Sequence, residues 1–81
     1  MYKATGMITD INHILIFKTN IQTTDDKMRI QDELDAFDSI QQWNIDLHDI
    51  DCVLRVVSDT LRPEEIISMI ENRGFECTEL E

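Results

Sequence analysis

Apolar residues come in short blocks along this chain, and the spacing within the blocks switches between strand-like and helix-like periods. Residues 13–19, His-Ile-Leu-Ile-Phe-Lys-Thr, are β-branched and aromatic and predict a first strand. Alternation puts Ile14, Ile16 and Lys18 on one face and Leu15, Phe17 and Thr19 on the other. Residues 1–12 show no period and read as an N-terminal arm or strand extension. From Asn20 to Asp26 the chain is polar, with Thr and Asp suited to an N-cap and acids placed to complement a helix dipole. Ile30, Leu34 and Phe37 then fall on one stripe, while Arg29, Gln31, Asp32, Glu33 and Asp35 take the wet side. A helix over about residues 24–38 follows, with Phe37 as a core residue.

Strand alternation returns at 40–47, with Trp43, Ile45 and Leu47 one way and Asn44, Asp46 and His48 the other. His48 to Asp51 carries turn chemistry, and residues 52–57 form a third strand, so the two read as an antiparallel hairpin. Pro63 opens a second helix at a position where its missing N–H costs nothing. Glu64 and Glu65 fill its first turn, Ile66, Met69, Ile70 and Arg73 follow at helical spacing, and Gly74 is placed for a left-handed C-cap. Residues 75–80 alternate as a last strand. The order β-α-β-β-α-β implies an α+β fold, the ferredoxin-like sandwich: a four-stranded antiparallel sheet with two helices on one face. Trp43 has the weakest claim to burial, since the second strand lies at a sheet edge. Nothing divides the 81 residues into more than a single domain, 1–81.

Charge excludes more than it identifies. Seven Lys and Arg against 17 Asp and Glu give a formal net charge of −10, which repels nucleic-acid backbones and anionic membranes. Such a surface suits solubility, a basic protein partner or cation attraction. No apolar run reaches the roughly 20 residues of a membrane span, and no signal-peptide segment opens the chain, so a cytoplasmic protein is expected. The cysteines, Cys52 and Cys77, form no CxxC pair and read as reduced structural thiols. Two glycines in the whole chain leave no phosphate cradle, the serines lack a nucleophile elbow, and His48-Asp49 is only a neighbouring pair. An enzyme is not expected, and no cofactor is implied.

The residue pattern narrows the family. Trp43-Asn44-Ile45-Asp46-Leu47 resembles the second-strand Val-x-Val-Asp-Leu pattern of heavy-metal-associated (HMA) domains of the copper-chaperone type. Ile70-Glu71-Asn72-Arg73-Gly74-Phe75-Glu76 resembles their Ile-Glu-x-x-Gly-Tyr/Phe-Glu ending, and the likeness covers about residues 13–80. In that family the first strand runs into a Gly-Met-x-Cys-x-x-Cys loop, followed by apolar helix positions that Ile30 and Leu34 match. This alignment seats Thr23 and Asp26 at the cysteine positions, Ile21 at a buried methionine and Asn20 at the glycine. The defining motif is therefore absent.

Cu(I) and zinc carriage rests on soft thiolates. A threonine hydroxyl does not ionise near neutral pH, and an aspartate is a hard oxygen donor, so Thr23 and Asp26 cannot replace the pair. Thr23, Thr24, Asp25 and Asp26 offer oxygens for a weak Ca²⁺ or Mg²⁺ site, although such ions need about six in a shaped cage; capping of the helix is the plainer role. His13 and His48 read as solvated, a surface pair of His48 and Cys52 would at best hold adventitious zinc, and Cys77 reads as a small core residue. No metal ligand set is assigned. The resemblance implies a binding domain that has lost its soft-metal ligands, acts by protein contact and is associated with heavy-metal transport. Its interaction loop would comprise Ile21, Thr23, Thr24, Asp25 and Asp26, with Phe75 beside them, in a monomer or weak dimer. An ACT-like, dimeric small-molecule sensor shares the element order and is the alternative.

Overall fold

The computed structural model describes residues 14–80; the arm at 1–12 and His13 lie outside them. The elements are β1 (Ile14–Thr19), α1 (Thr24–Ala36), β2 (Gln42–Ile45), β3 (Leu54–Val57), α2 (Pro63–Asn72) and β4 (Cys77–Glu79). The strands form one antiparallel sheet in the order β2-β3-β1-β4, so β2 and β4 are its edges. The ferredoxin-like β-α-β-β-α-β architecture is as predicted.

Alternation along each strand decides which face the helices cover. Phe17, Ile45, Leu54 and Val56 turn inward and cluster with Ile30 and Leu34 of α1 and Ile66, Met69 and Ile70 of α2. Burial of each large member contributes about 1.5–3 kcal/mol. Ile14, Ile16 and Lys18 face the other way, where Ile14 is exposed. Leu15 packs against the core from its rim.

Several boundaries differ from the sequence expectation, each for a local reason. α1 stops at Ala36, not 38, because Phe37 takes extended dihedrals (φ −89°, ψ 109°) as the C-cap. Its N–H donates to the Leu34 carbonyl, and its ring, expected in the core, stands at 38% exposure. β2 is shorter than 40–47, although Gln41 N–H to Val57 O (2.8 Å) and Asp46 N–H to Val53 O (2.9 Å) carry the pairing past both ends. β3 begins at Leu54 rather than 52, since Cys52 has φ +45°, a left-handed conformation that no strand admits. β4 is confined to Cys77–Glu79, and Leu80 N–H adds one bond to Ile16 O at 2.8 Å.

α2 follows the sequence closely. The Arg62 N–H donates to the Glu65 carboxylate at 2.7 Å, Pro63 opens the helix, and Gly74 has φ +92°. Gly74 N–H donates to Glu71 O and Phe75 N–H to Ile70 O, the paired bonds of a Schellman ending.

A candidate docking end

Three connections meet at one end of the sheet: the β1–α1 loop, the β2–β3 turn and the α2–β4 link. Thr19, the last residue of β1, holds two of them together. Its N–H donates to Asp51 O (3.0 Å), and its buried hydroxyl donates to Cys52 O (2.7 Å) while accepting from Ile21 N–H (3.2 Å). Asn20 ties in the third, its Oδ1 accepting Glu76 N–H at 2.8 Å. Ile21, completely buried, pins the loop to the core. Of the residues expected to form the contact loop, Ile21 is therefore its anchor. Phe75 is half-buried against the core, Thr23, Thr24 and Asp25 are exposed, and Asp26 is intermediate.

Thr23 and Asp26 face one another, bonded to the helix start. Thr23 is the N-cap and accepts Asp26 N–H on its hydroxyl at 3.0 Å, while Asp26 Oδ2 accepts Gln22 N–H at 3.3 Å. The first bond satisfies an amide that the first turn leaves without a helical partner, and the second ties the residue ahead of the cap to the helix. Asp25 and Asp26 lie in that turn, where negative charge is favoured by the dipole.

The β2–β3 turn adds the residue that the sequence did not single out. Asp46 Oδ1 accepts His48 N–H (3.0 Å), and Asp49 Oδ1 accepts Asp51 N–H (2.7 Å). Both are side-chain-to-backbone turns of the kind Asp makes readily. Between them Ile50 projects with 95% of its surface exposed. The signal was an isoleucine inside Asp-Ile-Asp, a step where turn chemistry masked the apolar side chain. Lys18 pairs with Asp51 at 3.7 Å and Arg73 with Glu33 at 2.7 Å, leaving Asp25, Asp49 and Glu76 as carboxylates with no cation in ion-pair range among the described residues.

Cys52 and Cys77 are free and buried, and His48 is exposed, so the Cys52 thiol turned into the protein is not presented at the surface beside it. Burial, reinforced by the negative charge of Glu71, pushes the Cys77 thiol up from 9.0 to about 12, which keeps it protonated and poor as a ligand. Among the described residues no three His, Cys, Asp or Glu side chains are grouped to hold a metal. No described helix is long and apolar enough to cross a membrane.

No family model and no curated protein matches the sequence. Solved structures do. The HMA domain of the copper chaperone for superoxide dismutase, in its apo form, superposes with a TM-score of 0.74 at 17% identity, covering 100% of this chain and 85% of that one. Its fold is that of HMA copper-chaperone domains. The yeast copper transporter domain Ccc2a matches at TM-score 0.72 and 21% identity, over 84% of this chain and 94% of that one. The Atx1–Cu(I)–Ccc2a complex supplies a chain matching at TM-score 0.73 and 21% identity, again over 84% and 94%. Thr23 ends the loop that joins β1 to α1 as the helix N-cap, Asp26 lies in the first turn of α1, and this chain has no Cys-x-x-Cys anywhere.

Proposed function

We propose that this chain is a small HMA-like binding domain, not an enzyme, that has lost its soft-metal ligands and works by protein contact at the loop-bearing end, in association with heavy-metal transport. The observation that carries the reading is the engagement of Thr23 and Asp26. Both side chains are taken up in capping bonds to backbone amides. Neither supplies the polarizable thiolate that a cuprous ion selects. The loop is a built helix start, held on a buried isoleucine, and it presents Thr24 and Asp25 outward.

The partner in this reading is a protein with a basic surface and an apolar recess. Asp25, Asp49 and Glu76 supply the negative ring, which speeds encounter and selects against acidic partners. Ile50 supplies an anchor whose burial on docking contributes about 1.5–3 kcal/mol. That domains of this fold dock on proteins has a precedent in the Atx1–Ccc2a complex. A pull-down from native lysate tests the reading, comparing the intact chain with an Asp25→Lys, Ile50→Ser variant. Both side chains are exposed and make no hydrogen bond or ion pair within the described residues, so the fold is not at stake. Loss of the recovered partner is expected; equal recovery discards the docking end.

A further inference from the structure

The helices cover one face of the sheet. On the other, a groove of about 360 Å³ is lined by Ile14, Gln42, Trp43, Asn44, Arg55 and Val57. The register accounts for the lining. Ile14, Val57 and Gln42 stand in one cross-strand row, and Ile16, Arg55 and Asn44 stand in the next. Alternation sends these side chains away from the buried Phe17, Leu54 and Val56. Trp43, whose indole N–H bonds to Asp35 on α1, borders the groove from the sheet edge.

The chemistry of the groove is uneven. Ile14 and Val57 make an apolar wall, and Gln42 and Asn44 bring side-chain amides. Arg55 rises between them as a cation. Among the described residues Arg55 makes no ion pair or hydrogen bond, as is also true of the Arg29 guanidinium, but Arg55 is the cation that lines the groove. Its neighbours on this face, Ile14, Ile16, Lys18, Gln42, Asn44 and Val57, include no carboxylate. The guanidinium fork matches a carboxylate edge to edge, and flanking amides can complete such a site with further N–H donors.

We propose that this groove binds a carboxylate carried on a short apolar group, gripped by Arg55, with Ile14 and Val57 covering the apolar part. A singly charged anion is favoured over phosphate, because a molecule of net charge −10 repels each added negative charge and this face offers one unpaired cation. The same chemistry comes from two sources, a free short-chain acid or an acidic residue of an extended peptide lying along the β2 edge.

The test is a ¹⁵N NMR titration of the full chain at pH 7, following the Arg55 Nε–H and the Gln42 and Asn44 side-chain amides. The probes are pentanoate, the peptide acetyl-Val-Asp-Val-amide, and pentanamide as the uncharged control. Saturable shifts in the millimolar range are expected with the two carboxylates and none with pentanamide. Arg55→Gln should weaken binding at least tenfold, Arg55→Lys less, and Asn44→Leu severalfold. A peptide that binds tenfold tighter than pentanoate identifies the peptide source; equal or weaker binding identifies the free acid. Non-saturating shifts, equal responses to pentanoate and pentanamide, or unchanged binding in both Arg55→Gln and Asn44→Leu overturn the proposal.

Discussion

Thr23 shows how much of the account turns on single side chains. Its hydroxyl accepts the Asp26 amide, and removing an N-cap oxygen typically costs about 1 kcal/mol. Thr23→Ala should therefore lower stability by about that amount in urea unfolding, while Thr23→Ser should leave it nearly unchanged. Cys77 carries a pH signature of the opposite kind. Its thiol is raised to about 12 in the folded protein from 9.0, first by burial and then by Glu71, so the folded state holds its proton more tightly than the unfolded state does. The resulting stabilisation is complete below pH 9 and fades as the pH climbs from 9 toward 12. Denaturant midpoints measured across that range should fall for the native chain and fall less steeply for Cys77→Ala. A Cys77 side chain that reacts with a thiol reagent at pH 8 as fast as free cysteine would contradict this placement.

Elements were legible where period and punctuation agreed. Pro63 at the start, Ile66, Met69 and Ile70 on one stripe and Gly74 at the end gave α2 its limits, because each residue is specified by backbone geometry or by burial. Gly74→Ala should cost about 1–2 kcal/mol in thermal unfolding. The space around its Cα is open, so the cost is the strain of a Cβ at φ +92° and not a clash. The failures arose where tertiary context decides. Phe37 continues the helical spacing of Ile30 and Leu34, yet the chain must leave α1 to reach the edge strand, and Phe37 is where it turns out. Cys52 fits a strand by composition, but its carbonyl is claimed by the Thr19 hydroxyl and its backbone turns left-handed to meet that bond. Bonds between residues 33 positions apart leave no local trace. Ile50 was hidden for a related reason, since its aspartate neighbours signalled only a turn.

For the whole molecule, the four-stranded antiparallel sheet with β2 at an edge followed from element order and crossover rules, and the likeness to HMA domains lay in the second-strand pattern and the Gly74-Phe75 ending. The proposed seating of Thr23 and Asp26 at the cysteine positions rests on Ile30 and Leu34, which are buried on one stripe of α1. What the sequence could not show was that three connections are knit into one end, with Asn20 bridging to Glu76 across 56 positions. If a partner docks at that end as proposed, the negative charges there make its association dependent on salt. Binding to the recovered partner should weaken severalfold between 50 and 500 mM NaCl, as measured by surface plasmon resonance, with most of the loss in the on-rate. In the proposed function, Thr23 and Asp26, both bonded to backbone amides at the start of α1, give this domain no hold on a soft metal. Anaerobic titration of the purified chain with Cu(I) against bicinchoninate measures that hold directly. The chelator should take all of the copper; one equivalent retained per chain would contradict the account.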